Sequence, residues 1–303
     1  DTLEIIDGFV HINGNQLQLS DRAKPMYDHT VYARKGVSSR WLEAIEADGY
    51  TRTFRAEQLN QTQYNAMTPY LLGMSQNENY IELVTAAQGI PSSVLRQHRI
   101  SLKEITTQER EVNLTDQMYQ KLIGQEGVDS VIKKLQPKGV LGYNIFPQTP
   151  DQYQWNNDQL GPLFIPKRGS SIALNEKTYP LYKKIIREYE HNTLSKEGDS
   201  FLLNGEKATS YTFKMDYYWM MGDNRHHSED SRTWGFVPED HIVGKPVFIW
   251  MSWDNFNQGL FSWKGRWDRF FTTVNGKGEP VSYFWAFIFA LGLYYLYSKF
   301  VHR

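Results

Sequence analysis

Three tight turns constrain this chain before any other feature does. Asp7-Gly8, Asn13-Gly14 and Asn204-Gly205 each lie between short apolar runs. An Asp-Gly or Asn-Gly pair supplies the two positive-φ positions that a two-residue hairpin requires. Leu3 and Ile5 precede the first turn, Phe9-Val10-His11-Ile12 separate it from the second, and Leu17 and Leu19 follow, so residues 1–20 are predicted to be a hairpin. FLLNGEKATSYTF repeats the strand, Asn-Gly, strand order, a likeness that turn chemistry alone can produce. Along YTFKMDYYWM, Tyr211, Phe213, Met215, Tyr217 and Trp219 alternate with their neighbours as a half-buried strand should. Aromatic residues make up 15 % of the chain, a usage that suits β-structure and also carbohydrate or membrane-interface surfaces.

The stretch from Tyr143 to Leu174 carries Pro147, Pro150, Pro162 and Pro166, too many for a helix. Leu163-Phe164-Ile165 reads as a short strand ending in the turn Pro166-Lys167-Arg168-Gly169. TYPLYKKIIREYEHN is the clearest helix, with Leu181, Ile185 and Tyr189 on one face. Between residues 38 and 140 the texture is different. SSRWLEAIEADGY, TQYNAMTPYLLGM, LTDQMYQKLIG and VDSVIKKLQ space their apolar residues helically, with Gln, Asn and Glu between them. An α-helical insertion is expected there, flanked by β-domain parts at residues 1–37 and 141–262.

VSYFWAFIFALGLYYLYS (Val281–Ser298) contains no charge and just reaches the length of a membrane span. The competing reading is a buried core helix. An all-round apolar segment with no following domain to cover it favours a transmembrane helix. Residues 263–280 then form an interfacial linker, in which aromatics mix with Lys264, Arg266 and Arg269. Basic residues on both sides leave the orientation of the span open. With 33 Lys plus Arg against 34 Asp plus Glu, no basic field points to nucleic acid. The absence of cysteine excludes disulfides, thiolate metal sites and a cysteine nucleophile. The start DTLEIIDGF has neither an initiator Met nor a signal-peptide core, so residue 1 is expected to be a cut through a longer protein.

One loop is far too polar for its surroundings. MGDNRHHSEDSRTWG lies between YTFKMDYYWM and VGKPVFIWMSW and holds two Asp, one Glu, two Arg, two His and two Ser. Charges placed against an apolar core persist only when paired and hydrogen-bonded. Asp223 with Arg225, and Asp230 with Arg232, are two apart, which places each pair on one side of an extended backbone. Bridged in this way, and fixed by Asn224 and the serines, they would hold a rigid polar platform. Gly222 and Gly235 would let the chain turn and another segment approach. His226-His227 with Glu229 and Asp230 invites a metal reading, but adjacent histidines on an extended backbone point to opposite faces, and no metal or cofactor is expected.

GDNRHHSEDSRTWGFVPEDHIVGKPVFIWMSWD resembles the C-terminal signature of the type I signal peptidases, membrane serine proteases that remove signal peptides. The pattern GDNR-x-x-S-x-DSR-x-WG-x-VP, followed by I-x-G-[KR] and an apolar strand, is matched almost throughout. DTLEIIDGFVHING resembles the hairpin after the family's Pro-Gly-Asp turn, with Asp1 as that Asp. GPLFIPKRG and YTFKMDYYWMMGDNR resemble the enlarged form found in some Gram-negative lineages. The resemblance covers about residues 1–20 and 143–254. It implies a mainly β fold of two packed antiparallel sheets and a Ser nucleophile with an unprotonated Lys as general base. It also implies that Ser228 hydrogen-bonds that Lys, that Asp230 and Arg232 form a supporting ion pair, and that Asp223 and Arg225 tie the platform to neighbouring strands. Gly222 and Asn224 would shape the turn, with Ser231 a lesser candidate.

In the family the nucleophile lies in a Ser-Met-x-Pro segment and the Lys in a strand before the Pro-Gly-Asp turn, and neither is found in this chain. Ala66-Met67-Thr68-Pro69 imitates the first with Ala at the serine position, after the hairpin instead of before it. Ser92-Ser93 and Ser170-Ser171 read as turn residues. The resemblance thus implies a signal peptidase whose catalytic dyad lies outside these residues, inactive as this chain alone. The expected partners are signal-peptide-bearing preproteins and the lipid bilayer, and the expected location is the inner membrane with the catalytic domain on the extracytoplasmic side. The alternative is a non-catalytic membrane-anchored β scaffold or binding module.

Overall fold

The computed structural model describes residues 1–77, 79–198, 200–254, 263–274, 276–278 and 281–301. The chain opens as a meander of β1 (Thr2–Ile6), β2 (Phe9–Ile12) and β3 (Asn15–Gln16), with Ile6 opposite Phe9 and Ile12 opposite Asn15. Asp7, Gly8, Asn13 and Gly14 all have positive φ, as the Asp-Gly and Asn-Gly turns demand. The free edge of β1 is taken by β11 (Leu160–Phe164), so the start of the chain is sealed by a segment more than a hundred residues later.

Between them lies a second lobe built on a seven-stranded antiparallel sheet. Its strands are β4 (Met26–Tyr32), β5 (Gly49–Ala56), β6 (Leu71–Gln76), β7 (Ile81–Ala86), β8 (Lys103–Ile105), β9 (Glu109–Thr115) and β10 (Ser130–Lys133). They run in the order β10-β4-β9-β5-β7-β6, with β8 also paired to β5. Four short helices connect them: α1 (Ser39–Ala44), α2 (Gln61–Met67), α3 (Ser92–Gln97) and α4 (Asp116–Ile123). The helical spacing read in residues 38–140 therefore marks real helices in three of the four stretches, but strands outnumber them. VDSVIKKLQ differs, because its centre lies as β10 along the edge of β4, Val131 opposite Val31. The strand-rich architecture also begins before residue 38, at Met26. Two cores serve the lobe, one around Val31, Leu42, Val112, Leu114 and Leu122, the other around Met67, Leu83, Ile90 and Ile100.

A third core joins the first meander to residues 145–236. Leu3 and Ile5 meet Leu163, Leu181, Ile185, Phe213, Tyr217 and Phe236 there. Leu181 and Ile185 belong to α5 (Thr178–Lys184) and the wider helical turn that continues it to Tyr189, as the helical face predicts. Short strand pairs wrap this core: β12 (Ser171–Ala173), β13 (Leu194–Glu197), β14 (Ser200–Leu203), β15 (Glu206–Ala208), β16 (Ser210–Thr212), β17 (Tyr217–Tyr218) and β18 (Val237–Pro238). Tyr211, Phe213 and Tyr217 are buried while Thr212, Lys214 and Tyr218 are exposed, the alternation expected of that segment. A four-residue helix, α6 (Ser231–Trp234), precedes β18, and α7 (Phe284–Val301) ends the described chain. The protein is mainly β, with antiparallel sheets, several helices and one C-terminal helix long and apolar enough to cross a membrane.

Candidate functional site

Tyr217 pairs with Pro238 and Tyr218 with Val237, so residues 219–236 form one excursion that leaves and rejoins a single ladder. What holds it is the ion pair of Asp230 and Arg232, with side chains 7 % and 1 % exposed. Arg232 donates from Nε to Asp230 Oδ1 (2.9 Å) and from a terminal nitrogen to Oδ2 (2.7 Å), a fork-on-fork pairing. The same carboxylate accepts the Arg232 amide at 3.1 Å, capping α6, and the Gly222 amide at 2.9 Å. One carboxylate thus fixes the two ends of the loop together. Burial works against its charge, but Arg232 and the two amides outweigh that and hold its pKa below the ordinary carboxylate value.

The loop's other polar groups divide between fixing it and facing outward. Ser231 is fully buried; its hydroxyl accepts the Met220 amide at 2.9 Å, and its own amide donates to the Met220 carbonyl at 3.0 Å. The Phe146 amide donates to the Arg232 carbonyl, and the Phe146 ring lies where a Cβ on Gly235 would come to 2.7 Å. Gly235 also has φ +92°, so that position excludes a side chain twice over. Gly222 is constrained by contact instead. A Cβ there would stand 2.2 Å from Ser228 Oγ. Ser228 is partly exposed, and among the described residues its hydroxyl has no hydrogen-bond partner. Its hydrogen-bonding capacity is free for another group.

The expected Asp223–Arg225 ion pair is not formed. Asn224 between them lies in a bridge to Met26 and the chain turns only at Arg225-His226, so the spacing alone does not bring the two charges together. Asp223 stays in solvent, while Arg225 is buried with one terminal nitrogen 3.6 Å from Met221 Sδ. Both residues hold β4 through their backbone: the Met26 amide donates to the Asp223 carbonyl (2.8 Å) and the Arg225 amide to the Met26 carbonyl (2.9 Å), a parallel bridge between Met26 and Asn224.

The same turn corrects the reading of the two histidines. They do not diverge; both reach Asp28 on β4. His227 Nε2 is 2.8 Å from Asp28 Oδ1, and His226 Nδ1 is 3.0 Å from the Asp28 amide nitrogen and 3.5 Å from Oδ2. His226 Nε2 lies 3.0 Å from Asp158 Oδ1. Burial would lower the His226 pKa, but hydrogen bonds to Asp158 and Asp28 outweigh it and raise it to about 9. Burial likewise opposes the Asp28 charge, and His226, Asn113 and His227 overcome it, holding that carboxyl well below its usual range. Sequence reasoning missed Asp28 and Asp158. A lone carboxylate within apolar MYDHTVY was the available signal.

Residues 165–253, which include Ser228 and the Asp230–Arg232 pair, match the family described as "Signal peptidase, peptidase S26". Over part of its length the chain is similar to proteins named signal peptidase I. It is 31 % identical over 169 residues to the signal peptidase I of Haemophilus influenzae, covering 54 % of this chain and 46 % of that protein. It is 41 % identical over 87 residues to the signal peptidase I of Buchnera aphidicola subsp. Acyrthosiphon pisum, covering 26 % and 27 %. With the signal peptidase I of Pseudomonas aeruginosa the identity is 36 % over 83 residues, covering 24 % and 28 %. The chain thus spans less than half the length of these relatives. No solved structure matches it.

Proposed function

We propose that this chain is the supporting part of a membrane-bound serine endopeptidase that removes signal peptides from exported preproteins. The observation that carries the reading is the buried Asp230–Arg232 fork beneath a Ser228 hydroxyl left without a partner, inside a segment that matches the signal peptidases. In this reading Ser228 accepts from or donates to the side chain of a general-base Lys and sets its orientation. Gly222 keeps the space that Ser228 occupies, and Asp230 with Arg232 keeps Gly222 in place. Asn224, Asp223 and Arg225 hold the loop to β4, and Ser231 holds it to Met220. A neutral Lys needs desolvation and fixed neighbours, and such a platform provides both.

No residue from 1 to 303 is assigned as nucleophile or base. Met67 of the Ala66-Met67-Thr68-Pro69 stretch is fully buried in a core of the sheet lobe, which argues against that stretch as an active-site segment. We therefore expect residues 1–303 alone to cleave nothing. The apolar helix α7 would hold the protein in the inner membrane with the platform on the extracytoplasmic side, where preproteins emerge.

The test is preprotein cleavage by the complete protein in detergent, read by mass spectrometry of the new N-terminus. Cleavage at the end of the signal peptide, lost in Ser228→Ala, is expected. An intact preprotein under conditions where a related signal peptidase I cleaves it would favour the non-catalytic scaffold instead.

A further inference from the structure

The two histidines of the loop, and the carboxylates they meet, are used by nothing above. Asp158 is 1 % exposed and sits at the meeting point of three parts of the molecule. Its Oδ2 accepts the amide of Gln136, where the chain leaves the sheet lobe, and its carbonyl accepts the amide of Gly8 in the first hairpin turn. Its Oδ1 faces His226 of the platform loop. Asp28 is the matching group on β4, held by Asn113 Nδ2 of β9 at 2.8 Å. The His226 ring bridges these two carboxylate residues and packs edge-on against Tyr27, whose hydroxyl donates to the Gly8 carbonyl.

The geometry suits a joint that does not depend on one protonation state. A neutral ring accepts the Asp28 amide at Nδ1 and donates from Nε2 to Asp158. A protonated ring donates from Nε2 to Asp158 and turns its Nδ1–H toward Asp28 Oδ2. Both states keep two contacts. Two residues further along the chain is Ser228. Met26, two residues before Asp28 on the same strand, clamps Asp223 and Arg225. A single strand of the sheet lobe therefore grips the platform loop on both sides of its turn.

We propose that the seven-stranded lobe serves as the positioning frame of the platform, and that Asp28 and His226, with Asp158, are positioning residues that set where the Ser228 hydroxyl stands. The role of Ser228 in hydrolysis rests on the reading given above; the joint itself does not. Removing either partner should free the loop without unfolding the lobe, because Asp28 and His226 lie outside its cores.

Hydrogen exchange of residues 1–303 in detergent tests this directly. In Asp28→Ala and His226→Ala, the Arg225 amide should exchange at least about tenfold faster, while β5, β7 and β9 keep their protection. His226→Gln, which keeps a donor toward Asp158, should restore most of it. Glu111→Ala, which removes an exposed ion pair with Lys134 on the same sheet, should change nothing. Unchanged exchange at Arg225, or equal loss across the whole sheet, would overturn the proposal. In the complete protein, the two alanine variants should lower kcat with little change in KM, and His226→Gln should recover it. Faster exchange with undiminished kcat would leave the joint standing and remove Ser228 from the chemistry.

Discussion

Asp230→Ala is the substitution with the largest consequence. It removes the acceptor of four hydrogen bonds, two of them from Arg232 side-chain nitrogens and two from backbone amides. With Arg232 only 1 % exposed, the guanidinium cannot reach water without opening the loop. Breaking one half of a buried pair costs about 3–5 kcal/mol, and losing the helix cap adds about 1 kcal/mol. The sum is a large part of a typical domain stability of about 5–15 kcal/mol. Urea unfolding in detergent, followed through Trp219 and Trp234, measures it. Asp230→Ala/Arg232→Met should be more stable than the sum of the two single losses, because no charge is then left buried. The pH arm has a definite sign. The folded pKa of Asp230 is depressed, so its contribution is present above the unfolded value near 4 and is lost as pH falls through the folded one. Asp230→Asn should therefore lose less stability on acidification than the wild type. A cost for Asp230→Ala below about 1 kcal/mol, the level of an exposed pair, would refute the claim that this pair holds the loop.

Three further outcomes follow from the same geometry. Gly222→Ala places a Cβ 2.2 Å from Ser228 Oγ, so the hydroxyl must move; a cost of about 1–3 kcal/mol and a fall in preprotein cleavage by the complete protein are expected. Circular dichroism matching the wild type would separate that fall from misfolding. His226 has its pKa raised from 6.5 to about 9, so its ionic contribution is full below 6.5 and is lost as pH rises through about 9. That contribution is at most about 3 kcal/mol, and His226→Gln should flatten the alkaline limb of the stability profile. Lastly, Trp267 and Phe270 stack on each other at the root of α7, with Phe284 against both. Replacing Trp263, Trp267 and Phe270 with Ser should weaken partitioning into lipid vesicles, and unchanged partitioning would remove this cluster from the membrane contact. The aromatic-rich stretch Phe256–Phe271 is expected to rest on the membrane as a whole, and its residues 256–262 lie outside the described structure.

Local chemistry made the hairpins legible. Asp7-Gly8, Asn13-Gly14 and Asn204-Gly205 adopt positive φ because their own side chains permit it, and no distant partner had to be known. Tyr211 to Lys214, and again Tyr217 and Tyr218, alternate for a similarly local reason, although a bend at Lys214-Met215 splits the expected strand into β16 and β17. Residues 128–136 show where that reasoning stops: Val128, Val131, Ile132 and Leu135 space like a helix, but the open edge of β4 supplies backbone partners that no local pattern reveals. The Asp230–Arg232 pair forms as expected but not on the extended backbone its spacing assumed: Arg232 lies in α6, and the cap at Asp230 places both groups together. Asp223–Arg225 has the same spacing but makes no ion pair: Asp223 stays in solvent while Arg225 is buried, and Met26, almost two hundred residues earlier, holds both through their backbone. The His226–Asp28–Asp158 joint is long-range in every contact, so only the fold assembles it.

The choice of an ion pair where an apolar pair would serve stability as well is itself informative. Replacing Asp230 and Arg232 by well-packed hydrophobic residues is often neutral or favourable in energy. Such a pair would nevertheless leave the Gly222 amide and the first turn of α6 without their acceptor, and both determine where Gly222 lies relative to Ser228. The carboxylate earns its place by direction, since its four bonds define an orientation that dispersion forces do not. The joint at His226 acts on the same loop from the opposite side with the same kind of bond. The backbone that carries Ser228 is thus anchored on both sides, which is what the proposed role in orienting a neutral amine requires. A platform of this kind would be wasted on a binding surface that tolerates movement, and that weighs for hydrolysis over the scaffold reading.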